Sequence, residues 1–197
     1  MTVQVILADD HRIVREGLIA MLSADPGIEV VGECGNGRDT IALARKLQPD
    51  LIVMDVSMPD LNGIDATRRI VEMGSNIKVV ALSSHSDEQF VKGMLQAGAS
   101  GYLLKECAGK ELVLAIRTVK RGRVYVSPEV AGVIVNDYVS ILSGGVKPQS
   151  PALSSREREV LQLIAEGQST SQIGEQLHLS VKTVESQIGR ASCRERV

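Results

Sequence analysis

Four short apolar runs in this sequence each end in polar side chains that can bind a metal ion or a phosphate. The runs end in Asp9 and Asp10, in Asp55, in Ser83 and in Lys105. Carboxylates can hold a hard divalent cation, while a hydroxyl and an ammonium group can each donate a hydrogen bond to a phosphate oxygen. If the runs are neighbouring strands, their ends form one site that handles a phosphoryl group.

The region that carries these residues, 1 to about 122, alternates apolar runs with segments of helical periodicity. Several of the runs are almost continuously apolar, as expected for strands buried on both faces of a parallel sheet. Strands alternating with helices predict a doubly wound α/β domain. The predicted strands are 3–8, 28–33, 51–54, 77–82 and 101–104.

Ligands of such sheets bind outside the carboxyl ends of the strands, which is where all four polar groups fall. Each group has an ordinary structural explanation when taken alone. Two aspartates after a strand often cap a helix, and Ser83 beside Ser84 is usual turn chemistry. Their joint occurrence at four strand ends favours a site.

Three carboxylates at one edge repel one another, and this predicts a bound cation. Oxygen ligands favour Mg²⁺, which keeps several waters and shares its coordination shell with phosphate. We expect Asp10 and Asp55 to be the main ligands, with Asp9 beside them. The backbone carbonyl of Ser57 can supply another oxygen.

Asp55 ends the central strand of the set. A carboxylate can attack a phosphoryl group whose charge is spread by a metal, and the product is an aspartyl phosphate. Lys105 can pair with one phosphate oxygen as a point charge, and the Ser83 hydroxyl can donate to another. The sequence therefore predicts phosphorylation of Asp55.

The residues after 122 predict a second, helical region. A helix is expected over 128–142, followed by a Gly-, Ser- and Pro-rich linker at 143–151. Ser154 and Glu157 fit a capping box, and Gly167 is placed to end that helix. A further helix, a tight turn and another helix predict a helix-turn-helix motif.

Composition limits the location and partners of the chain. Its net charge is -2 over 197 residues, so any DNA-binding surface must be local. No apolar run approaches the roughly 20 residues that span a bilayer, and the N-terminus lacks a signal-peptide pattern. Three widely spaced cysteines predict reduced thiols. We expect a cytoplasmic protein without a membrane partner.

The first region resembles the receiver domain of two-component response regulators. The resemblance implies a flavodoxin-like fold with a five-stranded sheet, phosphotransfer from a sensor histidine kinase to Asp55, and a phosphorylation-dependent homodimer. It also implies a switch in which Ser83 moves toward the phosphate and Tyr102 swings from exposed to buried. The residues that carry it are Asp9, Asp10, Asp55, Met58, Pro59, Gly63, Ser83 and Lys105.

One position departs from the receiver pattern. Many receivers carry proline after the lysine, whereas Glu106 follows Lys105 here. A cis bond before a residue other than proline costs about 2.5–4 kcal/mol. The sequence leaves the geometry of this bond open.

Residues 153–161 and 179–186 resemble a LuxR-type helix-turn-helix domain, and the whole chain resembles the NarL/FixJ family of transcription regulators. The resemblance implies that the second helix of the motif enters the major groove of promoter DNA. Lys182 and Thr183 would meet phosphates, and base edges would face Glu185, Ser186 and Gln187.

The resemblance ends near Gln187, where the usual basic helix and fourth helix are not found. Residues 151–197 hold six basic and six acidic residues, which gives no net positive charge for DNA. We therefore expect impaired DNA binding by this chain. The predicted organisation is a receiver at 1–122, a helical linker at 123–152, a partial, incomplete all-α DNA-binding domain at 153–188 and a non-native tail at 189–197.

The function that these patterns favour is a DNA-binding response regulator, not an enzyme. The alternative is a phosphoacceptor or protein-interaction module that does not bind DNA. A phosphatase that uses an aspartate nucleophile is disfavoured, because the position two residues after Asp55 is Ser57 and not an acid.

Overall fold

The structure is a computed structural model that describes residues 2–74, 76–142 and 153–195. Its contacts divide the chain into two units, Met1–Gly144 and Gly145–Val197. The first is a parallel α/β unit and the second is helical, which confirms the predicted fold class.

The sheet of the first unit is parallel throughout, in the order β2-β1-β3-β4-β5-β6. The five predicted strands are confirmed to within one residue at either end. The prediction of only five strands was wrong, because a sixth pairs with β5. Two residues are too few to show a periodic pattern. The strands are β1 Val3–Ala8, β2 Ile28–Cys34, β3 Leu51–Asp55, β4 Lys78–Ser83, β5 Gly101–Leu104 and β6 Tyr125–Val126.

Both faces of the sheet are covered by helices, which explains the unbroken apolar runs. Leu7 and Val53 pack with residues of α1 and α5 on one face. Ile6 and Met54 pack with residues of α2, α3 and α4 on the other face. The helices are α1 Arg12–Ser23, α2 Gly37–Leu47, α3 Gly63–Glu72, α4 Glu88–Gln96 and α5 Ala108–Lys120.

The predicted helix over 128–142 is confirmed as α6, Pro128–Leu142. It contacts α4 and β5. The described part of the predicted helical linker therefore adds β6 and α6 to the first unit. The Gly-, Ser- and Pro-rich stretch predicted at 143–151 lies outside the described residues.

The described residues of the second unit form three helices: α7 Ser155–Ala165, α8 Thr170–Leu177 and α9 Val181–Glu195. The predicted capping box is present, because the Ser154 hydroxyl accepts from the Glu157 N–H and the Glu157 carboxylate accepts from the Ser154 N–H. A small apolar core holds the helices together. Its buried members are Val160, Leu163, Ile173, Leu177 and Val184.

The last helix does not stop where the native domain was predicted to end. Residues 189–195, which were assigned to a tail, continue α9 without a break. Among the described residues, no helix has both the length and the apolar character needed to cross a membrane.

The turn of the helix-turn-helix motif requires glycine at position 174. A Cβ there would lie 2.8 Å from the Leu179 carbonyl oxygen, while the Leu179 N–H donates to the Gly174 carbonyl at 2.8 Å. We expect Gly174→Ala to lower the free energy of unfolding of this unit by about 1–3 kcal/mol. Urea unfolding of the full chain, followed by helical circular dichroism, measures this change.

Gly189→Ala is the matched control, since a Cβ at Gly189 would meet nothing within 4 Å. The same substitution there is expected to stabilise α9 by up to about 1 kcal/mol. Equal effects of the two substitutions would contradict the close approach at the turn.

Candidate functional site

The carboxyl ends of four adjacent strands meet at one edge of the sheet. Asp9 directly follows β1, Asp55 ends β3, Ser83 ends β4 and Lys105 directly follows β5. Because β1, β3, β4 and β5 are consecutive neighbours in the sheet, these side chains are brought together. The register places Asp55 beside Leu82 and Ser83 beside Leu104.

Lys105 joins two of the buried carboxylates. Its Nζ lies 2.6 Å from Asp9 Oδ2 and 2.9 Å from Asp55 Oδ2. Both aspartate side chains are almost fully buried, and the Lys105 side chain is 17% exposed. One ammonium group therefore offsets part of the repulsion between two carboxylates.

The charges at this edge depend on burial and pairing. Burial raises the pKa of Asp55, although the hydrogen bond from Lys105 acts in the opposite direction. Burial alone would lower the pKa of Lys105, but its interactions with Asp9 and Asp55 outweigh burial and raise that pKa. Lys105 is therefore a cation at neutral pH.

Four side chains at this edge can offer ligand atoms to one cation. Asp9, Asp10, His11 and Asp55 place one ligand atom each within 4.8 Å of the others. Asp9 and Asp55 are buried and Asp10 faces solvent, so buried carboxylate oxygens lie on one side of the set and the other side is open to water. That donor set fits a hard cation that keeps part of its water shell.

His11 was missed from the sequence, although its position directly after Asp10 was a signal. The His11 ring atom Nδ1 lies 2.8 Å from Asp10 Oδ1, and the His11 backbone N–H donates to Asp9 Oδ1 at 2.8 Å. Ser57, predicted to offer its carbonyl, lies at the same edge and directs its N–H to Asp55 Oδ1 at 3.4 Å. One backbone N–H after β3 therefore faces the Asp55 carboxylate.

Gly63 lets the start of α3 approach the phosphoacceptor candidate. A Cβ at Gly63 would lie 1.9 Å from the Asp55 carbonyl oxygen. The Gly63 N–H donates to the Val56 carbonyl at 2.9 Å, and the Asn62 side chain caps the helix by accepting from the Asp65 N–H. Glycine at 63 is thus a steric requirement of the site.

Ser83 and Tyr102, the predicted switch residues, are both fully buried. The Tyr102 hydroxyl donates to the His85 carbonyl at 2.7 Å, and the Ser83 hydroxyl accepts from the His85 N–H at 3.0 Å. The structure therefore has Tyr102 in the buried position of the predicted movement. Burial also raises the pKa of Tyr102.

The bond between Lys105 and Glu106 is trans, as are the peptide bonds throughout the described residues. Residues Lys105–Cys107 form a short 3₁₀ turn that leads into α5. The geometry that the sequence left open is therefore resolved without a cis bond.

The predicted DNA-contacting residues lie in the first two turns of α9. Lys182, Glu185 and Ser186 are exposed. Thr183 is partly buried, and its hydroxyl lies 2.8 Å from the Ser180 hydroxyl at the start of the helix. The side-chain oxygen of Gln187 is buried. The structure thus presents three of the five predicted residues on an open surface.

Comparisons with known proteins match one family to each of the two units. The response regulator receiver domain matches residues 5–117, and the bacterial regulatory proteins of the luxR family match residues 151–192. The second match extends beyond Gln187, where the resemblance was predicted to end. Nothing in these matches supports the alternative of a module without DNA binding.

One curated relative matches along almost the whole chain, and one solved structure matches a shorter part of it. The transcriptional regulatory protein LiaR of Bacillus subtilis is 40% identical over 186 residues, which cover 94% of this chain and 87% of LiaR. A LuxR-family two-component response regulator from Aurantimonas sp. SI85-9A1 has a TM-score of 0.67 at 36% identity, covering 71% of this chain and 99% of that one.

A structure of the RcsB response regulator of Salmonella typhimurium, described in terms of DNA interaction, covers this chain completely and 93% of RcsB. Its TM-score is 0.64 at 27% identity. Receiver and luxR-type matches in one chain, with relatives named as transcriptional regulators, give the function as well as the fold. The chain belongs to the NarL/FixJ family of DNA-binding response regulators, in which a receiver domain precedes a LuxR-type helix-turn-helix domain.

Proposed function

We propose that a sensor histidine kinase phosphorylates Asp55 and that phosphorylation controls DNA binding by α9. The observation that carries the proposal is the placement of Asp9, Asp55, Ser83 and Lys105 at four adjacent strand ends, with Lys105 paired to Asp55 at 2.9 Å. A buried carboxylate next to a cation, beside a hydroxyl, is suited to accept and then bind a phosphoryl group.

Mg²⁺ is the proposed cofactor of this transfer. Asp10 and Asp55 would hold it, with Asp9 beside them and the Ser57 carbonyl as a further oxygen. When bound, the ion spreads the charge of the phosphoryl group. The three carboxylates within reach of one another support this proposal.

The transfer forms a bond between an Asp55 carboxylate oxygen and phosphorus, and it breaks the bond from phosphorus to the donor. Lys105 then pairs with a phosphoryl oxygen in place of the Asp55 carboxylate, and the Ser83 hydroxyl donates to another phosphoryl oxygen. Shifting a two-state equilibrium from 1:99 to 99:1 takes about 5.5 kcal/mol. Several charge-assisted contacts of roughly 1.5–3 kcal/mol each can supply it. The proposed role is a switch and not an enzyme.

Acetyl phosphate provides a test without the cognate kinase. Incubation with acetyl phosphate and Mg²⁺ is expected to add one phosphoryl group to the intact chain, as measured by mass spectrometry. Chelation of the metal with EDTA before the donor is added should abolish the addition, because the carboxylates would then repel the incoming phosphoryl group. Undiminished addition in EDTA would contradict the metal role.

Promoter DNA is the proposed target of α9, with impaired binding by this chain because residues 151–197 carry no net positive charge. Lys182 and Thr183 are proposed to meet phosphates near the start of α9, while Glu185, Ser186 and Gln187 face base edges. Phosphorylation is proposed to promote a homodimer. The receiver core is proposed to span 1–122 and the DNA-binding domain to begin at 153.

Lys182 gives the proposed DNA binding a quantitative test. Lys182→Ala is expected to weaken DNA binding roughly equally for different sequences and to reduce the slope of log K against log salt by about 0.9, the value of one phosphate contact. Fluorescence anisotropy at several salt concentrations measures the slope. Lys110→Ala removes the same charge from an exposed position on α5 and should leave the slope unchanged. Equal slopes for both variants would exclude Lys182 from the interface.

A further inference from the structure

The loop between β4 and α4 is connected to the site through His85. The His85 N–H donates to the Ser83 hydroxyl oxygen at 3.0 Å, and its carbonyl accepts from the Tyr102 hydroxyl at 2.7 Å. The His85 ring stacks on Phe90, with ring centroids 4.8 Å apart and planes inclined by 26°. One residue therefore contacts a strand end, a buried tyrosine and a helix.

The stack joins the loop to the first turn of α4. Asp87, the N-cap residue of this helix, makes no side-chain capping hydrogen bond, and the side chains of residues 84–87 are exposed. Phe90 is partly buried and packs against the core on the α4 face of the sheet. Offset aromatic stacking contributes energy beyond simple burial, so the ring pair is suited to hold loop and helix together.

We propose that His85 is a positioning residue that links the Ser83 hydroxyl to α4 through its stack on Phe90. The inference rests on the proposed function, because it takes Ser83 as a group that binds the phosphoryl group on Asp55. It adds the route by which a change at Ser83 reaches a helix on the surface of the receiver.

The chemistry of a hydroxyl allows this route. A serine hydroxyl donates one hydrogen bond and can accept two, so Ser83 can donate to a phosphoryl oxygen while it still accepts from the His85 N–H. A shift of Ser83 toward the phosphate then draws His85 with it. The His85 ring carries the movement to Phe90, while its carbonyl keeps the Tyr102 hydroxyl inside the core.

The amino-acid composition makes the α4 end of this link easy to observe. Phe90 is the only phenylalanine in the sequence, so para-fluorophenylalanine labels this position alone. In the full chain, the single fluorine NMR resonance is expected to shift when Asp55 is phosphorylated with acetyl phosphate and Mg²⁺. Mass spectrometry of the same samples reports phosphorylation independently.

Four variants separate the linking role from a structural one. Ser83→Ala removes the hydroxyl, and His85→Ala removes the ring but keeps the backbone N–H and carbonyl. Each is expected to lose the phosphorylation-dependent shift. His85→Tyr keeps a stacking ring and should retain the shift, as should Ser84→Ala at the adjacent exposed position. A ring that only stabilised the fold would change the resting resonance and leave the shift between the two states intact.

The outcomes distinguish this inference from the proposed function. A chain that gains no phosphoryl group on Asp55 overturns the proposed function and the link with it. A phosphorylated wild type with an unmoved Phe90 resonance overturns the link alone, and so does His85→Ala with the full shift. If His85→Ala does not fold, Ser83→Ala and Ser84→Ala still test the link, which is overturned if Ser83→Ala keeps the full phosphorylation-dependent shift.

Discussion

Asp55→Asn is expected to reduce phosphoryl incorporation from acetyl phosphate to background. The amide keeps the size of the side chain but has no anionic oxygen to attack phosphorus. Asp55 is 3% exposed and ends β3 at the point where Lys105 reaches it. Phosphate-affinity electrophoresis and mass spectrometry of the intact chain both measure the loss.

The loss should occur in a folded protein. Burial raises the pKa of Asp55 above its ordinary value, so the ionised carboxylate costs stability at neutral pH, and this cost disappears as the pH falls below the unfolded value near 3.9. Removing the charge relieves that cost, while Lys105 keeps Asp9 as a partner. We therefore expect the urea midpoint of Asp55→Asn at neutral pH to equal or exceed that of the wild type.

Asp50→Asn is the matched control. Asp50 directly precedes β3 and so lies at the opposite end of the same strand, where it pairs with Lys120. The same chemical change there should leave phosphorylation intact. Full labelling of Asp55→Asn, or equal loss in both variants, would refute Asp55 as the acceptor.

Gly63→Ala is expected to have the largest effect on stability. The added Cβ would lie 1.9 Å from the Asp55 carbonyl oxygen and 2.9 Å from its carbonyl carbon. Both atoms are backbone, so no side-chain rotation relieves the clash. We expect a loss of about 3 kcal/mol, the upper end of typical overpacking costs. Slower phosphorylation should accompany it, because the backbone that must shift belongs to Asp55.

Gly17→Ala provides the comparison for this prediction. Gly17 lies inside α1, and a Cβ there would meet nothing within 4 Å, so alanine should stabilise the helix by up to about 1 kcal/mol. Urea unfolding and the acetyl phosphate assay apply to both variants. If Gly63→Ala behaved like Gly17→Ala, the close approach of α3 to Asp55 would be wrong.

The sheet could be predicted because its central strands are buried on both faces. In β3, for example, the apolar run ends at the charged residue Asp55, so the end of the apolar pattern coincides with the end of the strand. β6 could not be predicted in this way. Its two residues pair with β5 only after α5 has returned the chain to the sheet edge, and such pairing is set by tertiary structure.

The convergence of the site residues also followed from sequence, since parallel strands place their carboxyl ends at one edge. The contacts made by loops did not. The hydrogen bond from Tyr102 to the His85 carbonyl and the stack of His85 on Phe90 depend on the path of the chain between β4 and α4. No periodic pattern encodes that path.

In α9 the sequence indicated which residues begin the helix but not what each side chain does. The Thr183 hydroxyl forms a hydrogen bond with the Ser180 hydroxyl, and the Gln187 side-chain oxygen is buried. Both depend on how the helix is rotated about its axis. Val184, which is fully buried, fixes that rotation by packing into the core.

The most direct test of the account is to locate the phosphoryl group itself. Borohydride reduces an aspartyl phosphate to homoserine, which peptide mass spectrometry identifies by position. After treatment of the full chain with acetyl phosphate and Mg²⁺, we predict homoserine at position 55 and none there after treatment in EDTA. Homoserine at another aspartate, or a phosphorylated chain with an unmodified Asp55, would contradict it.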